Sequence, residues 1–200
     1  EKLIENLPES TLLCLDEAYS DFLPPNLIPN ISINQPNVIR MRTFSKAYGM
    51  AGLRVGYAIG EQNIILNFEK IRNHFGMCRI AQVGALAALD DNGFINDVIE
   101  KVGSARKRIS NIALSNNCKF VNSYTNFIAI DCLKDAVFAK KVLENLIKKR
   151  IFVRMPYSFP QNRCIRVTVG LDKDIDLFEK YFPIALKESW YFYLIFSKNN

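Results

Sequence analysis

The chain has 200 residues, with 26 Lys and Arg against 20 Asp and Glu, which gives a formal net charge of +6. Hydrophobic residues make up 49% of the chain and charged residues 23%, fractions that indicate an ordinary globular protein and exclude a disordered or low-complexity chain. The longest unbroken apolar run, at residues 190–196, is far shorter than the roughly 20 residues that a membrane-spanning helix needs, so we expect no membrane partner.

The first half of the chain alternates between short strands and helical segments. Residues 11–15 form a continuous apolar run that ends at Asp16, a pattern typical of a strand buried on both faces of a parallel sheet. A proline-rich loop follows, and residues 38–44 and 53–60 are the next strand candidates. Apolar residues at helical spacing then predict helices at residues 61–73, 79–91 and 93–116.

The second half has a different order of elements. Strands are predicted at residues 118–121, 127–131, 151–154 and 164–169. Helices are predicted at residues 135–150 and 172–186, the second with Asp172 as its N-cap. This order suits a small sheet with helices on one face. We therefore expect a partial large domain, a small α+β domain and an aromatic tail, at residues 1–116, 117–188 and 189–200.

Cysteine and histidine are too few and too scattered to indicate a metal site. The five cysteines are odd in number, widely spaced and without a Cys-x-x-Cys pair. They are Cys14, Cys78, Cys118, Cys132 and Cys164. Because His74 is the single histidine, a zinc site has few candidate ligands. We expect reduced, mostly buried thiols in a cytoplasmic protein.

The excess of positive charge is mild and concentrated in two short clusters. Residues 106–108 and 148–150 lie in segments predicted to be helical, where solvated faces and helix C-termini favour Lys and Arg. A basic stripe interleaved with stacking aromatic residues is not found, so we expect no nucleic-acid partner.

Three short motifs are candidates for chemistry. Asp16 ends a buried strand, at the edge where open α/β sheets bind ligands, although Asp is also common in turns. The second strand ends in Thr43, Ser45 and Lys46: hydroxyls suit a phosphate, and a partly desolvated lysine can form a Schiff base with a carbonyl compound. Glycines recur every four residues over 52–60, which permits close approach to one face of a strand.

The order and spacing of these motifs resemble a known family. The chain contains the segments Asp16-Glu17-Ala18-Tyr19 and Arg42-Thr43-Phe44-Ser45-Lys46-Ala47-Tyr48-Gly49-Met50-Ala51-Gly52-Leu53-Arg54-Val55-Gly56-Tyr57. They are similar to fold-type I pyridoxal-phosphate aminotransferases, and most similar to histidinol-phosphate aminotransferases. Residues 79–89 and 164–170 resemble further segments of that family. The resemblance extends over residues 11–186 and implies an α/β fold: the C-terminal part of a large domain with a mostly parallel sheet, followed by a small α+β domain.

The resemblance assigns pyridoxal 5′-phosphate as cofactor and gives three residues a role at its ring. Lys46 would form a Schiff base with the cofactor and, once freed, move the proton of the reaction. Asp16 would pair with the protonated pyridine nitrogen, which keeps the ring able to accept electrons. Tyr19 would donate a hydrogen bond to the phenolic oxygen of the ring.

The remaining candidate residues are implied to bind anions. Thr43, Ser45 and Arg54 would hold the cofactor phosphate, for which a bidentate guanidinium is well suited. Arg166 would bind a carboxylate of the substrate, and Arg154 would help to read the substrate, although an isolated arginine at a strand end is often only exposed. The resemblance implies no metal.

The activity implied by the resemblance is transamination between histidinol phosphate, or a related amino donor, and 2-oxoglutarate, carried out by a cytoplasmic homodimer. An aromatic or broad-specificity amino-acid aminotransferase and a threonine-phosphate decarboxylase-like enzyme share many of the same motifs. A remnant that keeps the lysine without activity is the alternative from a different class.

The sequence departs from the family pattern in three places. His74-Phe75-Gly76 stands where the family has Pro-Phe-Asn, so His74 is a candidate substrate contact or a solvated loop residue. Residues 190–196 have no recognised counterpart and are an interaction patch, an extra strand or a tail without function. The family half that precedes the Asp-x-x-Tyr segment is missing. We therefore expect the chain to be the C-terminal part of an enzyme and to bind cofactor poorly by itself.

Overall fold

A computed structural model describes residues 2–197, which divide into two compact units between Ile99 and Glu100. The first unit contains α1 (Lys2–Glu5), β1 (Leu13–Asp16), β2 (Val38–Thr43), β3 (Gly56–Gly60), α2 (Gln62–Ile71) and α3 (Arg79–Asp90). Helix α4 (Asn92–Ser115) spans the division. The second unit continues with β4 (Lys119–Val121), β5 (Phe127–Asp131), α5 (Ala136–Lys148), β6 (Cys164–Thr168) and α6 (Asp172–Ser197).

The first unit holds a three-stranded sheet in the order β1-β2-β3. Strand β1 runs parallel to β2, with Asp16 opposite Met41, and β3 runs antiparallel to β2, with Gly56 opposite Thr43. The prediction that the first strand is buried on both faces is wrong for the described residues, because Cys14 and Asp16 are exposed. The side of β1 that carries them is left uncovered within this unit.

The second unit holds an antiparallel sheet in the order β4-β5-β6. The strand predicted at residues 151–154 is wrong, because within it only Arg154 pairs, in an isolated bridge with Arg166. The chain leaves α5 through Arg150 in a left-handed conformation, and Pro156 follows soon after the bridge. A proline has no backbone N–H to donate, so the ladder does not extend in that direction.

The two compact units divide inside α4 because its C-terminal half packs into the second unit. Ile109, Ile112 and Ala113 belong to the buried core of that unit, together with side chains of its sheet and of helices α5 and α6. The division therefore comes earlier in the chain than the predicted domain boundary near residue 117. The domain ranges 1–116 and 117–188 stay predictions.

Helix α6 runs to Ser197, well beyond the predicted end at residue 186. The aromatic segment predicted as a separate tail therefore continues the helix, and the alternative of an extra strand is wrong. Packing explains the extension: the ring centroids of Trp190 and Tyr193 lie 5.6 and 5.7 Å from that of Phe138. The buried hydroxyl of Ser189 also donates a hydrogen bond to the carbonyl of Ala185 at 2.7 Å.

We expect Phe138 to make a large contribution to the stability of the second unit. It is only 1% exposed and contacts both aromatic rings of the α6 extension. Phe138→Ala should lower the free energy of unfolding by about 3–5 kcal/mol, because a large apolar volume is lost from a packed site. The matched control Phe152→Ala, whose side chain is 76% exposed, should change it by less than about 0.5 kcal/mol. Urea unfolding of both variants measures the difference, and equal losses would contradict the packing argument.

The cysteines are free thiols, and most of them are buried as predicted. Cys118, Cys132 and Cys164 lie in the second unit, where burial raises the pKa of each thiol, to about 11 for Cys118. Cys14 and Cys78 are exposed. Over residues 2–197 no group of three potential metal ligands occurs, and no helix there has the length and apolar character to cross a bilayer.

Candidate active site

The candidate residues of the first unit gather at one edge of its sheet. Because β1 and β2 are parallel, their carboxyl ends lie at the same edge, which is where open α/β sheets bind ligands. Asp16 is the last residue of β1 and Thr43 is the last residue of β2. The structure therefore places two separate sequence motifs side by side.

Asp16 and Lys46 differ in how they are held. The Oδ1 atom of Asp16 accepts a hydrogen bond from the backbone N–H of Ala18 at 2.9 Å, and the side chain is otherwise exposed. Lys46 is half-buried, and its Nζ atom lies 5.3 Å from the centroid of the Tyr19 ring. This is a cation–π distance, so Tyr19 and Lys46 are brought together although 27 positions separate them in the chain.

Thr43, at the end of β2, and Ser45, in the turn that follows, form a hydroxyl pair. The Thr43 hydroxyl donates to Ser45 Oγ at 2.9 Å, and the Ser45 backbone N–H donates to Thr43 Oγ1 at 3.1 Å. Such local bonds between hydroxyls and backbone favour turns. Both side chains are half-buried, so the turn presents two adjacent hydroxyls beside Lys46.

Arg54 occupies a strained backbone position just before β3. Its φ and ψ are 53° and 48°, in the left-handed region that residues other than glycine seldom adopt. Its Nη1 atom donates to the carbonyl of Ala51 at 2.9 Å, and the side chain is exposed. Strain of this kind persists where surrounding contacts enforce it, and it is frequent at functional sites.

Glycine at position 56 is required for the close pairing of β3 with β2. A Cβ atom there would come within 2.6 Å of the carbonyl oxygen of Arg42. Any larger residue would push the two strands apart next to Thr43, the residue opposite Gly56. The glycine spacing noted in the sequence therefore serves the packing of the strand that carries the hydroxyl turn.

Arg154 and Arg166 face each other in the second unit. The backbone N–H of each donates to the carbonyl of the other, at 3.1 Å from Arg154 and 2.7 Å from Arg166. Side chains of directly opposed antiparallel residues leave the same face, so two guanidinium groups start from neighbouring positions. The Cζ atom of Arg166 lies 4.7 Å from the Phe127 ring, and its buried Nε has no hydrogen-bond partner among the described residues.

His74 lies exposed in the turn between α2 and α3. Its role as a substrate contact stays a prediction. The group formed by Asp16, Tyr19 and Lys46 with its hydroxyl turn belongs to the first unit, and the pair of arginines belongs to the second.

Comparison with known protein families finds one family that matches this chain. A family model described as "Aminotransferase class I and II" matches residues 1–177, which is most of the chain. The chain belongs to the class I and II aminotransferases. The fold-type I resemblance inferred from the sequence motifs is thereby confirmed.

Relatives of this aminotransferase chain include several histidinol-phosphate aminotransferases. Histidinol-phosphate aminotransferase 2 of Legionella pneumophila (strain Paris) is 37% identical over 172 residues, 84% of this chain and 46% of that protein. The histidinol-phosphate aminotransferase of Bacillus velezensis is 37% identical over 171 residues, with the same coverage of both chains. The chain therefore spans about half the length of these curated relatives.

A solved structure agrees with this aminotransferase chain over nearly its whole length. It is the histidinol-phosphate aminotransferase of Sinorhizobium meliloti, in complex with pyridoxal-5′-phosphate. The sequence identity is 43% and the TM-score is 0.90, over 94% of this chain and 53% of that chain. The α/β fold expected for the chain is confirmed by this agreement.

Sequence reasoning about this aminotransferase chain missed a buried ion cluster next to Asp16. Glu17 is 7% exposed, and its two carboxylate oxygens accept hydrogen bonds from the Nε atoms of Arg40 and Arg42, each at 2.8 Å. A signal was present, because Arg40 and Arg42 alternate with apolar residues on β2 and so share one face. That pattern shows two cations on one face, but their carboxylate partner is distant in sequence.

The charges of this cluster shift the pKa values of its acids in opposite directions. Burial by itself raises the pKa of Glu17, but the hydrogen bonds and charges of Arg40 and Arg42 outweigh it, so the pKa is lowered. Burial raises the pKa of nearby Asp21, and the charge of Arg42 only partly offsets this. Glu17 is therefore ionised at neutral pH and offsets one of the two arginine charges.

Proposed function

We propose that the protein is a pyridoxal-phosphate-dependent aminotransferase that moves an amino group between histidinol phosphate and 2-oxoglutarate, with Lys46 as the residue that forms the Schiff base. The observation that carries the proposal is the Lys46 amine, 5.3 Å from the centroid of the Tyr19 ring and next to the hydroxyls of Thr43 and Ser45. The relatives named above as histidinol-phosphate aminotransferases support the choice of substrate.

The residues of the first unit suit pyridoxal 5′-phosphate by the chemistry of their side chains. The hydroxyls of Thr43 and Ser45 and the guanidinium of Arg54 are donors for a phosphate dianion. The exposed carboxylate of Asp16 is an acceptor for a protonated ring nitrogen, and the amine of Lys46 is a nucleophile for an aldehyde. These residues would hold the cofactor in the proposed enzyme.

Each of these side chains then has a task in the reaction. When bound, the cofactor supplies a ring that accepts the electron pair left by proton removal. Lys46 would hold the cofactor covalently through its amine, which is a nucleophile for the aldehyde and would release water on condensation. Once free, the Lys46 amine would be the base that takes the proton from the substrate Cα and the acid that returns it. Asp16 would pair with the protonated ring nitrogen, and Tyr19 would donate a hydrogen bond to the phenolic oxygen.

Arg154 and Arg166 are proposed to bind the anionic groups of the substrates. Two guanidinium groups on the same face of a sheet repel each other, and an anion bound between them relieves this repulsion. The buried Nε of Arg166, which has no partner within residues 2–197, would gain an acceptor from a substrate carboxylate. Histidinol phosphate offers a phosphate and 2-oxoglutarate offers two carboxylates, so both substrates present such anions.

The test of this function is spectroscopic and chemical. The parent enzyme that contains this chain, mixed with pyridoxal phosphate, should show a Schiff-base band near the edge of the visible range. Borohydride should convert that band into a stable adduct, and peptide mass mapping should locate it on Lys46. Absence of the band, or an adduct on another lysine only, would contradict the assignment.

A panel of amino donors tests the substrate. Histidinol phosphate should transfer its amino group to 2-oxoglutarate with the highest kcat/KM. A higher kcat/KM with phenylalanine or tyrosine would favour an aromatic or broad-specificity aminotransferase. Release of carbon dioxide from threonine phosphate would favour the decarboxylase, and a stable adduct without any turnover would favour an inactive remnant.

We also propose that the enzyme acts as a homodimer in the cytoplasm. The dimer follows from the family resemblance, in which a neighbouring subunit reaches into each site. The location is supported by the three buried free thiols of Cys118, Cys132 and Cys164, since free thiols persist in reducing compartments.

A further inference from the structure

We propose that Glu17 is a positioning residue, which holds the carboxylate of Asp16 in register with the turn that carries Thr43 and Lys46. This inference rests on the proposed function, because that function gives Asp16 and Lys46 their roles. Asp16 is exposed at the edge of the sheet, whereas Glu17, the next residue, is buried. Glu17 therefore acts on the site through its neighbours rather than by contact with a ligand.

Glu17 forms hydrogen bonds with three consecutive residues of β2. Its Oε1 atom accepts from Arg40 Nε and its Oε2 atom from Arg42 Nε, each at 2.8 Å. Its backbone N–H donates to the carbonyl of Met41, the residue between them, at 2.9 Å. Hydrogen bonds to charged groups are stronger than those between neutral groups. We therefore expect these bonds to hold the end of β1 firmly against β2.

The hydrogen bonds of Glu17 connect the two segments whose motifs the proposed reaction must bring together. Glu17 directly follows Asp16, the last residue of β1. Arg42 directly precedes Thr43, the last residue of β2, and the turn that holds Lys46 comes next. A slip of one residue between the strands would move Asp16 by roughly 3.3 Å relative to that turn. Misplacement by even about 1 Å can cost two orders of magnitude in rate, so the register at this edge matters for the chemistry.

The ion pairs of Glu17 also set the net charge of the segment next to Asp16. The Glu17 carboxylate offsets one of the two arginine charges, and Asp21, Tyr48 and Tyr57 are the other titratable groups coupled to Arg42. Neutralising Glu17 would add one unit of positive charge to this cluster. Added positive charge favours loss of a proton from a nearby protonated Schiff base, so the pH at which that proton leaves would fall.

The test compares variants of the intact protein loaded with pyridoxal phosphate. Absorbance titration gives the dissociation constant of the cofactor, and a pH series gives the midpoint of the change in its visible band. Glu17→Gln should weaken cofactor binding on the order of 10-fold or more, the effect typical of losing a partner that orients a ligand group. It should also move the pH midpoint downward.

Two further variants separate charge from geometry. Glu17→Asp keeps the charge on a shorter side chain, so it should keep the pH midpoint and show an intermediate dissociation constant. Glu69→Gln is the matched control: the same substitution in an ion pair of 2.7 Å with Arg72, on the solvated surface of α2. It should change neither quantity.

The outcomes are distinct for each proposal. A lower unfolding midpoint with wild-type cofactor affinity and an unmoved pH midpoint would mean that Glu17 only stabilises the fold, which overturns the positioning role. If Glu17→Gln does not fold, Arg40→Lys decides, because it removes one Nε donor and keeps the charge. Wild-type affinity in Arg40→Lys overturns the role, and weaker binding supports it. A wild-type protein without any visible band refutes the proposed function instead.

Discussion

Lys46→Ala is expected to reduce kcat for transamination by a factor on the order of 10⁴ or more, because one amine supplies both covalent and acid–base catalysis. In the proposed reaction the Lys46 amine is the group that takes the proton from the substrate Cα, so its removal would abolish that step. The Schiff-base band that forms in the absence of substrate should also disappear. Stopped-flow absorbance and a coupled assay of glutamate formation measure the two losses.

Cofactor binding should survive this substitution in part. The proposed phosphate donors Thr43, Ser45 and Arg54 are separate from the Lys46 amine, so equilibrium dialysis should still detect bound pyridoxal phosphate. Lys70→Ala, on the exposed side of α2 where its Nζ is bound to Asn67 Oδ1 at 2.6 Å, is the matched control and should retain full activity. Transamination at the wild-type rate by Lys46→Ala would overturn the assignment of the catalytic lysine.

Arg166→Lys is expected to raise KM for anionic substrates far more than it lowers kcat. A lysine keeps the positive charge but lacks the planar, bidentate donor set and cannot stack on Phe127 as the guanidinium does, with Cζ 4.7 Å from the ring. Loss of one charge-assisted hydrogen bond costs about 1.5–3 kcal/mol, which is roughly 10- to 150-fold in kcat/KM. Steady-state kinetics with varied 2-oxoglutarate measure the split.

The matched control for this substitution is Arg163→Lys. Arg163 lies just before the same strand, and its Nε pairs with Asp131 Oδ1 at 2.8 Å, so its charge is already satisfied within the unit. This variant should leave KM unchanged. An equal rise in KM for both variants would show that the effect comes from general charge rather than from Arg166, and would argue against the proposed anion site.

Local sequence patterns were sufficient for most of the secondary structure. The strand at 127–131 has the predicted bounds, and the helix predicted at 79–91 matches α3 to within one residue, because apolar periodicity reflects the face that each element buries. The failures have non-local causes. Strand 151–154 is reduced to one bridge at Arg154, and the segment after residue 186 stays helical because it packs against Phe138.

The sequence predicted the residues of the candidate site, but it did not predict the ion cluster next to them. Motif spacing singled out Asp16, Tyr19 and Lys46, and the structure brings the last two within cation–π distance. Nothing in the spacing showed that Glu17 would bind Arg40 and Arg42, since ion pairs between distant segments depend on strand register.

By itself, the sequence determined the α/β order of elements and the membership of the aminotransferase family, because periodicity and short motifs are local properties of the chain. Tertiary structure alone decided the half-open face of β1, the opposition of Arg154 to Arg166 and the buried carboxylate next to Asp16. Each of these depends on which segments become neighbours in space, and that choice follows from the burial and hydrogen bonding of the whole chain rather than from any one segment.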